Sequence, residues 1–310
     1  MTATAAPALP MILDEVEVVA VERLSPAFLR LELGGPALAD LADGPHWDQR
    51  IKLVFPGDDG RLPSFADAEA GMWWDAWLAL PEDERGHMRT YTIRAVRGSG
   101  AGTRLVVDFV LHLVAGSTGP ASTWASAATV GDRVVLIAPR RGVAFGGIEF
   151  DRGVSDRLLL AGDETAVPAI SAILEALPVD AVGKAYLEVP TPDDILDVRA
   201  PAGVRVVWLP RHDEAYGDRL CRAVLTLFGI DEGGDDPSAV VDPDVWETPT
   251  YSSSGEAIDA GSAAAGGLYA WVAGEAGTVT RLRRHLVRDA GLDRRQVAFM
   301  GYWRIGVAMR

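Results

Sequence analysis

The chain reads as an antiparallel β-barrel followed by an α/β unit built on a mostly parallel sheet. Two features of the sequence predict this. Up to about residue 150, short apolar-alternating runs are bounded by Pro and Gly, the pattern of half-buried strands. Beyond Asp151, apolar runs alternate with segments of helical spacing, the rhythm of β-α-β units. A length of 310 residues suits two domains. They are expected at 11–150 and 151–310, with an acidic connection at 229–267.

In the first part, strands are predicted at Val16–Arg23, Phe28–Leu33, Arg50–Phe55, Arg89–Val96, Arg104–Val114 and Arg133–Ala138. Within Leu105–Leu113 the odd residues share an apolar face, and Asp108 and His112 lie on the other. One short helix, Ala121–Ala127, interrupts the strands. The second part predicts strands at Arg157–Ala161, Ala185–Val189, Val204–Leu209, Leu268–Ala273 and Gln296–Trp303. Helices are expected at Pro168–Leu177, Asp218–Phe228 and Val279–Asp289, with Gly291 as a stop.

The net charge of −15 argues against non-specific nucleic-acid binding. The charge is unevenly spread. Asp231–Ala260 holds nine acids (Asp231, Glu232, Asp235, Asp236, Asp242, Asp244, Glu247, Glu256, Asp259) and no Lys or Arg, whereas Arg281–Arg310 holds eight Arg and two Asp. The lone Cys221 excludes an internal disulfide and a Cys-ligated cluster, and its helical setting makes it a core residue. No metal-ligand spacing, signal peptide or long apolar stretch stands out, so a cytoplasmic, non-membrane protein without a metal site is expected. A monomer is expected.

Three segments carry chemistry. Arg89-Thr90-Tyr91-Thr92-Ile93-Arg94 puts Arg89, Tyr91 and Ile93 on one strand face and Thr90, Thr92 and Arg94 on the other. This suits a flat, phosphate-bearing cofactor, and an ordinary edge strand with solvated Arg reads the same way. Thr118-Gly119-Pro120-Ala121-Ser122 is a turn entering a helix, whose N–H groups bind phosphate or are capped by Thr118 or Ser122. Leu160-Ala161-Gly162-Asp163-Glu164-Thr165-Ala166-Val167-Pro168 is a strand, Gly turn and helix start, where a dinucleotide binds in an open parallel sheet. Val272-Ala273-Gly274-Glu275-Ala276-Gly277 repeats the device, and the two turns can bracket one ligand. Asp163 and Glu164 would repel a phosphate set directly there.

With Gly131-Asp132 and Gly301-Tyr302-Trp303-Arg304, the order and spacing of these segments resemble the siderophore-interacting proteins, FAD-dependent ferric-siderophore reductases of the ferredoxin–NADP reductase superfamily. The resemblance covers nearly the whole chain. It implies a ferredoxin reductase-like architecture, an FAD-binding barrel and an NAD(P)H-binding α/β domain. Tyr91 and Thr92 would meet the isoalloxazine, and Arg89 with the Thr118–Ser122 backbone the pyrophosphate. Thr90, Arg94, Asp108, His112 and Val114 would line the cofactor. Gly162, Asp163, Thr165, Ala166 and Glu275 would border the NADPH (or NADH) site, with Trp303 approaching the flavin. Reduced ferredoxin is the alternative donor. Thr123 stands where many relatives carry Arg, and Arg140-Arg141 is doubled where one Arg is usual.

A ferric siderophore is an anionic chelate and needs a local basic patch, for which Lys52, Arg140, Arg141 and Arg304 are candidates. Arg211, after the Val204–Leu209 strand, is the candidate for a 2′-phosphate. No residue need act as a catalytic acid, base or nucleophile. A general flavin reductase without chelate specificity, and a non-enzymatic siderophore carrier, remain open readings.

Overall fold

In the computed structural model, residues 9–65, 72–112, 118–230, 245–249, 251–252 and 267–307 are described. The chain divides between Ile148 and Glu149 into two compact units, each taken by itself.

The first unit is a seven-stranded antiparallel sheet of β1 (Met11–Arg23), β2 (Phe28–Gly34), β3 (Arg50–Phe55), β4 (His87–Thr92), β5 (Ala95–Arg97), β6 (Arg104–Val110) and β7 (Arg133–Pro139), in the order β4-β3-β7-β1-β2-β6-β5. The two edge strands are consecutive in the chain. Between them the Ile93 N–H bonds to the Gln49 carbonyl, and the Arg94 N–H to the Val106 carbonyl. The chain thus steps from one edge of the sheet to the other and curls it into a barrel. This step splits the strand expected as Arg89–Val96 in two.

Alternation fills the barrel: Ile12, Val16, Leu31, Ile51, Leu53, Phe55, Ile93, Leu105, Val107, Phe109 and Leu136 form one buried cluster. The sequence expectation of one interrupting helix needs correction. Besides α2 (Pro120–Ala127), α1 (Trp73–Ala79) lies over the sheet's outer face, where Trp77 joins Val54, Met88, Val135 and Ile137. The outer apolar positions of β3 and β7 required a cover, and a Trp-rich turn supplies it.

The second unit is a sheet in the order β10-β9-β8-β13-β14-β11-β12. Five strands, β8 (Arg157–Gly162), β9 (Val182–Val189), β10 (Val204–Pro210), β13 (Leu268–Glu275) and β14 (Val297–Trp303), run parallel. Between them α3 (Val167–Ala176) packs on β8. Two further helices, α4 (Asp218–Leu227) and α5 (Ala276–Arg288), pack together over Leu159, Ala161, Val272 and Phe299. Cys221 is wholly buried among them.

The connection expected at 229–267 is not structureless throughout. β11 (Trp246–Thr248) adds antiparallel to β14, and β12 (Tyr251–Ser252) adds to β11. Here the uneven charges meet, because Glu247 takes two 2.7 Å contacts from Arg283 of the basic helix. The rest of the acidic segment lies outside the described residues.

Candidate functional site

On the barrel, β4 carries the first candidate segment. Thr90 is exposed, Thr92 is buried, and Arg89 donates to the Met88 carbonyl at 2.7 Å. Among the described residues no carboxylate pairs with Arg89. Tyr91 is partly buried, its ring 4.4 Å from Phe109 and 6.1 Å edge-on to Phe55, in a cluster that Trp124 of α2 completes. Burial pushes its phenol above the usual tyrosine range.

α2 packs against β4 and β6, with Ala121, Trp124 and Ala125 in the same apolar cluster as Tyr91. Gly119 is the N-cap, in extended backbone and with no side chain to make a capping hydrogen bond. The Ser122 hydroxyl donates to the Val110 carbonyl at 3.3 Å. A Cβ added at Gly119 would meet no atom of the described residues within 4 Å. A helix start without a side-chain cap, with an arginine free of carboxylates on the neighbouring strand, fits a phosphate-bearing group. The FAD expected from the sequence therefore fits these residues.

Asp108 is buried, and both its oxygens accept from Arg30 of β2, at 2.7 and 2.8 Å, with Arg94 at 3.6 Å. The carboxylate expected to line the cofactor thus holds two arginines on the face of β6 opposite the barrel core. His112 is half-buried just beyond β6, and Val114 lies outside the described residues.

In the second unit the two Gly turns stand side by side, Gly162 opposite Ala273. The Asp163 side chain bridges them, lying against Gly274 and accepting from the Glu275 N–H. Asp163 is 3% exposed and accepts four hydrogen bonds. One oxygen takes the Thr165 N–H and hydroxyl. The other takes the Glu275 N–H at 2.7 Å and the Trp303 indole N–H at 2.8 Å. Gly274, at φ 144°, is what admits it, since a Cβ there would stand 2.6 Å from the Asp163 oxygen. Glu275 caps α5 through the Thr278 N–H at 2.9 Å. Gly162 and Ala166 press against one another, a Cβ on the former standing 2.4 Å from the latter. Of this set only Thr165 and Trp303 reach the surface.

Glu164 is wholly buried and pairs two-pronged with Arg211, at 2.6 and 2.8 Å. Arg211 therefore corrects the expectation of a 2′-phosphate contact. It lies between the buried Glu164 and Glu188, 3.9 Å from the latter, with its guanidinium 3.8 Å over the Tyr216 ring. Glu188 caps α4 through the Gly217 and Leu220 N–H groups. Tyr216 meets Trp303 edge-on at 5.0 Å, so the sheet edge is faced by two rings. The anticipated repulsion of phosphate is met inside the protein, because both acids spend their charge on internal donors. Glu188 and Tyr216 were not singled out from the sequence: their partners come from other strands and turns, and no local spacing marks them.

Burial, reinforced by the charge of Glu164, raises Asp163 to about 6, while the bonds from Thr165 and Trp303 pull the other way. The folded value lies above the ordinary 3.8. The stability this group contributes is therefore fully present below about pH 4 and lost as pH rises through about 6. Trp303 reports the same protonation. We expect indole fluorescence to titrate with a midpoint near 6 in the wild type and the step to vanish in Trp303→Phe. A flat profile from pH 5 to 7 would refute the assignment.

The four candidate cations for substrate divide. Arg140 pairs with Asp40 at 2.7 Å and Arg141 with Asp43 at 3.5 Å, stitching down residues 39–43. Arg304 directly follows β14 and is half-buried. Lys52, on β3, donates to the Thr90 hydroxyl at 3.3 Å, and no carboxylate among the described residues pairs with it. Burial and the Arg50 charge lower its ammonium below the usual lysine range. A shallow depression of about 510 Å³ beside Trp124, lined by Glu15, Arg61, Asp132 and Arg133, carries both signs of charge and none of these candidates. Among the described residues there is no group of three or more potential metal ligands.

Set beside known proteins, the two units define a class. The model of the siderophore-interacting FAD-binding domain matches residues 17–143, and that of the siderophore-interacting protein matches 155–306. The chain belongs to the siderophore-interacting protein family, with a ferredoxin reductase-like fold. A siderophore utilization protein from T. fusca superposes with a TM-score of 0.69 at 29% identity, over 96% of this chain and 95% of its own. An uncharacterized protein of Mycobacterium tuberculosis is 34% identical over 95% of this chain and 91% of its own length. The ferric vibriobactin reductase ViuB of Vibrio cholerae is 30% identical over 75% of this chain and 78% of its own.

Proposed function

We propose that the chain is an FAD-dependent reductase that passes electrons from NADPH or NADH to a ferric siderophore, releasing Fe(II). The observation that carries this reading is α2, which starts at Gly119 without a side-chain cap and packs against the strand of Arg89 and Tyr91, within a unit matched by a siderophore-interacting FAD-binding domain. FAD, when bound, accepts a hydride and releases electrons singly, which suits a one-electron acceptor such as Fe(III).

The protein's own residues bind and position. Arg89 and the N–H groups of the α2 first turn neutralise the pyrophosphate. Tyr91, braced by Phe55 and Phe109, offers a ring to the isoalloxazine, with Thr92 beside it. On the parallel sheet, Thr165 and Trp303 border the nicotinamide dinucleotide, held in place by Asp163 beneath them. Gly162, Ala166 and Glu275 support that border from below. The choice between NADPH and NADH falls to residues other than Arg211. Lys52 meets the anionic chelate. Because the donor pool is intracellular, we place the activity in the cytoplasm.

Anaerobic spectroscopy tests the reading. Flavin bands should bleach with NADPH and return on adding a ferric siderophore, with Fe(II) trapped by a chromogenic chelator. Bleaching by reduced ferredoxin alone would move the donor. A protein that takes up no FAD would overturn the proposal. Arg89→Ala should weaken FAD binding roughly 10- to 100-fold, the loss of one charge-assisted phosphate contact. Flavin retained through gel filtration reads this directly. Arg89 is the better probe than Tyr91, whose truncation would also open a hole beside Phe55 and Phe109.

A further inference from the structure

We infer that the α/β unit selects NADH over NADPH, because the corner of its sheet at β10 and α4 holds its own arginines and exposes Asp213 where a 2′-phosphate needs a cation. The inference rests on the reductase reading above and names the electron donor within it.

In an open parallel sheet a dinucleotide lies across the carboxyl ends of the strands, with its phosphates at helix starts. Here α3 follows β8, α4 follows β10 and α5 follows β13, so all three helices start from that edge. Each start already has acceptors within the protein. Asp163 takes the Thr165 N–H ahead of α3, and the Val167 N–H goes to the Glu164 carbonyl. Glu188 takes the Gly217 and Leu220 N–H groups of α4, and Glu275 the Thr278 N–H of α5. Three carboxylates thus stand where phosphates are usually received, and each phosphate added to the donor raises the cost of binding.

That cost separates the two dinucleotides. A phosphate monoester, which NADPH carries on its 2′-oxygen and NADH lacks, adds about −1.5 to −2 of charge. An arginine is the usual remedy. In this corner Arg211, Arg219, Arg222 and Arg281 are each held by a carboxylate. Arg211 is on Glu164, Arg219 and Arg222 share Glu214 at 2.6 and 3.2 Å, and Arg281 meets Asp218 at 3.0 Å. Arg304 follows β14, four strands from β10 in the sheet order, roughly 19 Å away at about 4.8 Å per strand. The turn after β10 exposes His212 and Asp213. A carboxylate there repels a 2′-phosphate and accepts a hydrogen bond from a 2′-hydroxyl, as in NAD-selective sites.

Initial rates of flavin reduction by each dinucleotide test this in the FAD-loaded protein at pH 8, where imidazoles are uncharged. kcat/KM for NADH should exceed that for NADPH about tenfold at low salt, so NADPH bleaches the flavin but more slowly. The gap should narrow in about 0.5 M salt, which screens the repulsion. Asp213→Lys should raise kcat/KM for NADPH about tenfold and change that for NADH less than about twofold. Asp213 is exposed, so an unchanged melting temperature verifies the fold of the variant. Calorimetric titration with NAD+ and NADP+ should show the same tenfold preference without any hydride transfer. NADPH used or NADP+ bound as well as its counterpart, a gap indifferent to salt, or a ratio unmoved by Asp213→Lys would overturn the inference alone. Flavin reduced by ferredoxin and by neither dinucleotide would overturn the donor in the reductase reading and this inference with it. NADH-selective oxidation that releases no Fe(II) from a ferric siderophore would overturn the acceptor in that reading and leave this inference standing.

Discussion

Arg211→Met should lower the melting temperature of the C-terminal unit by roughly 10 °C at pH 8. The substitution keeps an unbranched chain of similar length and removes the cation between the buried Glu164 and Glu188. Removing one partner of a buried pair leaves an uncompensated charge and costs about 3–5 kcal/mol, roughly 2–4 °C per kcal/mol in a unit of this size. The remaining charges are carboxylates, and a carboxylate can take up a proton. Burial already raises Glu188 above the usual glutamate range with Arg211 in place. In the variant the folded state therefore binds protons more readily than the unfolded chain, so stability is recovered as pH falls and lost as it rises. Thermal melts at pH 5 and pH 8 should show the deficit shrinking at the lower pH. An equal deficit at both would mean that the loss comes from packing against Tyr216 and not from charge.

Asp108→Ala makes the opposite case in the barrel. It strips the carboxylate from Arg30 and Arg94, whose side chains are 18% and 9% exposed. The expected cost is about 3 kcal/mol, at the lower end of the range because Arg30 can turn toward water. Guanidinium groups do not shed their protons in proteins, so acid brings no relief. The deficit should be the same at pH 5 and pH 8, and denaturant melts followed by the barrel's aromatic signal would measure it. A deficit that varied with pH would show that another group had taken over the pairing.

These two clusters mark the limit of what the sequence could disclose. Strand alternation around Leu105 and the helical spacing of Leu220, Cys221, Val224 and Leu225 are local patterns; they placed α4 to within a residue and the start of β6, whose strand ends at Val110 and not at the expected Val114. The order of the flavin and Gly-turn segments identified the family. What stayed hidden depends on register and topology. Asp108 faces Arg30 because β2 and β6 align at that pair, 78 residues apart. Arg211 reaches Glu164 across 47 residues through two strand connections. Gly162-Asp163-Glu164-Thr165 has the composition of a phosphate turn, and only the neighbouring Gly274, with no Cβ, explains why the Asp163 side chain turns inward. α1 was missed because seven residues without a cap give no clear period, and its cause is the outer face of β3 and β7 that it covers.

The step at Ile93–Arg94 has a consequence for the protein before it acquires its cofactor. An open antiparallel sheet offers two rows of unpaired backbone groups to any passing strand, the usual start of edge-to-edge aggregation. Here the strand that carries Arg89, Thr90, Tyr91 and Thr92 is also the seam that joins one edge to the other. The segment proposed to receive the flavin is thereby the one that denies the sheet to neighbouring copies. Mutational drift in it is constrained twice, by cofactor affinity and by solubility of the empty chain. Lesions at Ile93 should appear first as loss of yield on expression, before any loss of colour in the protein that survives.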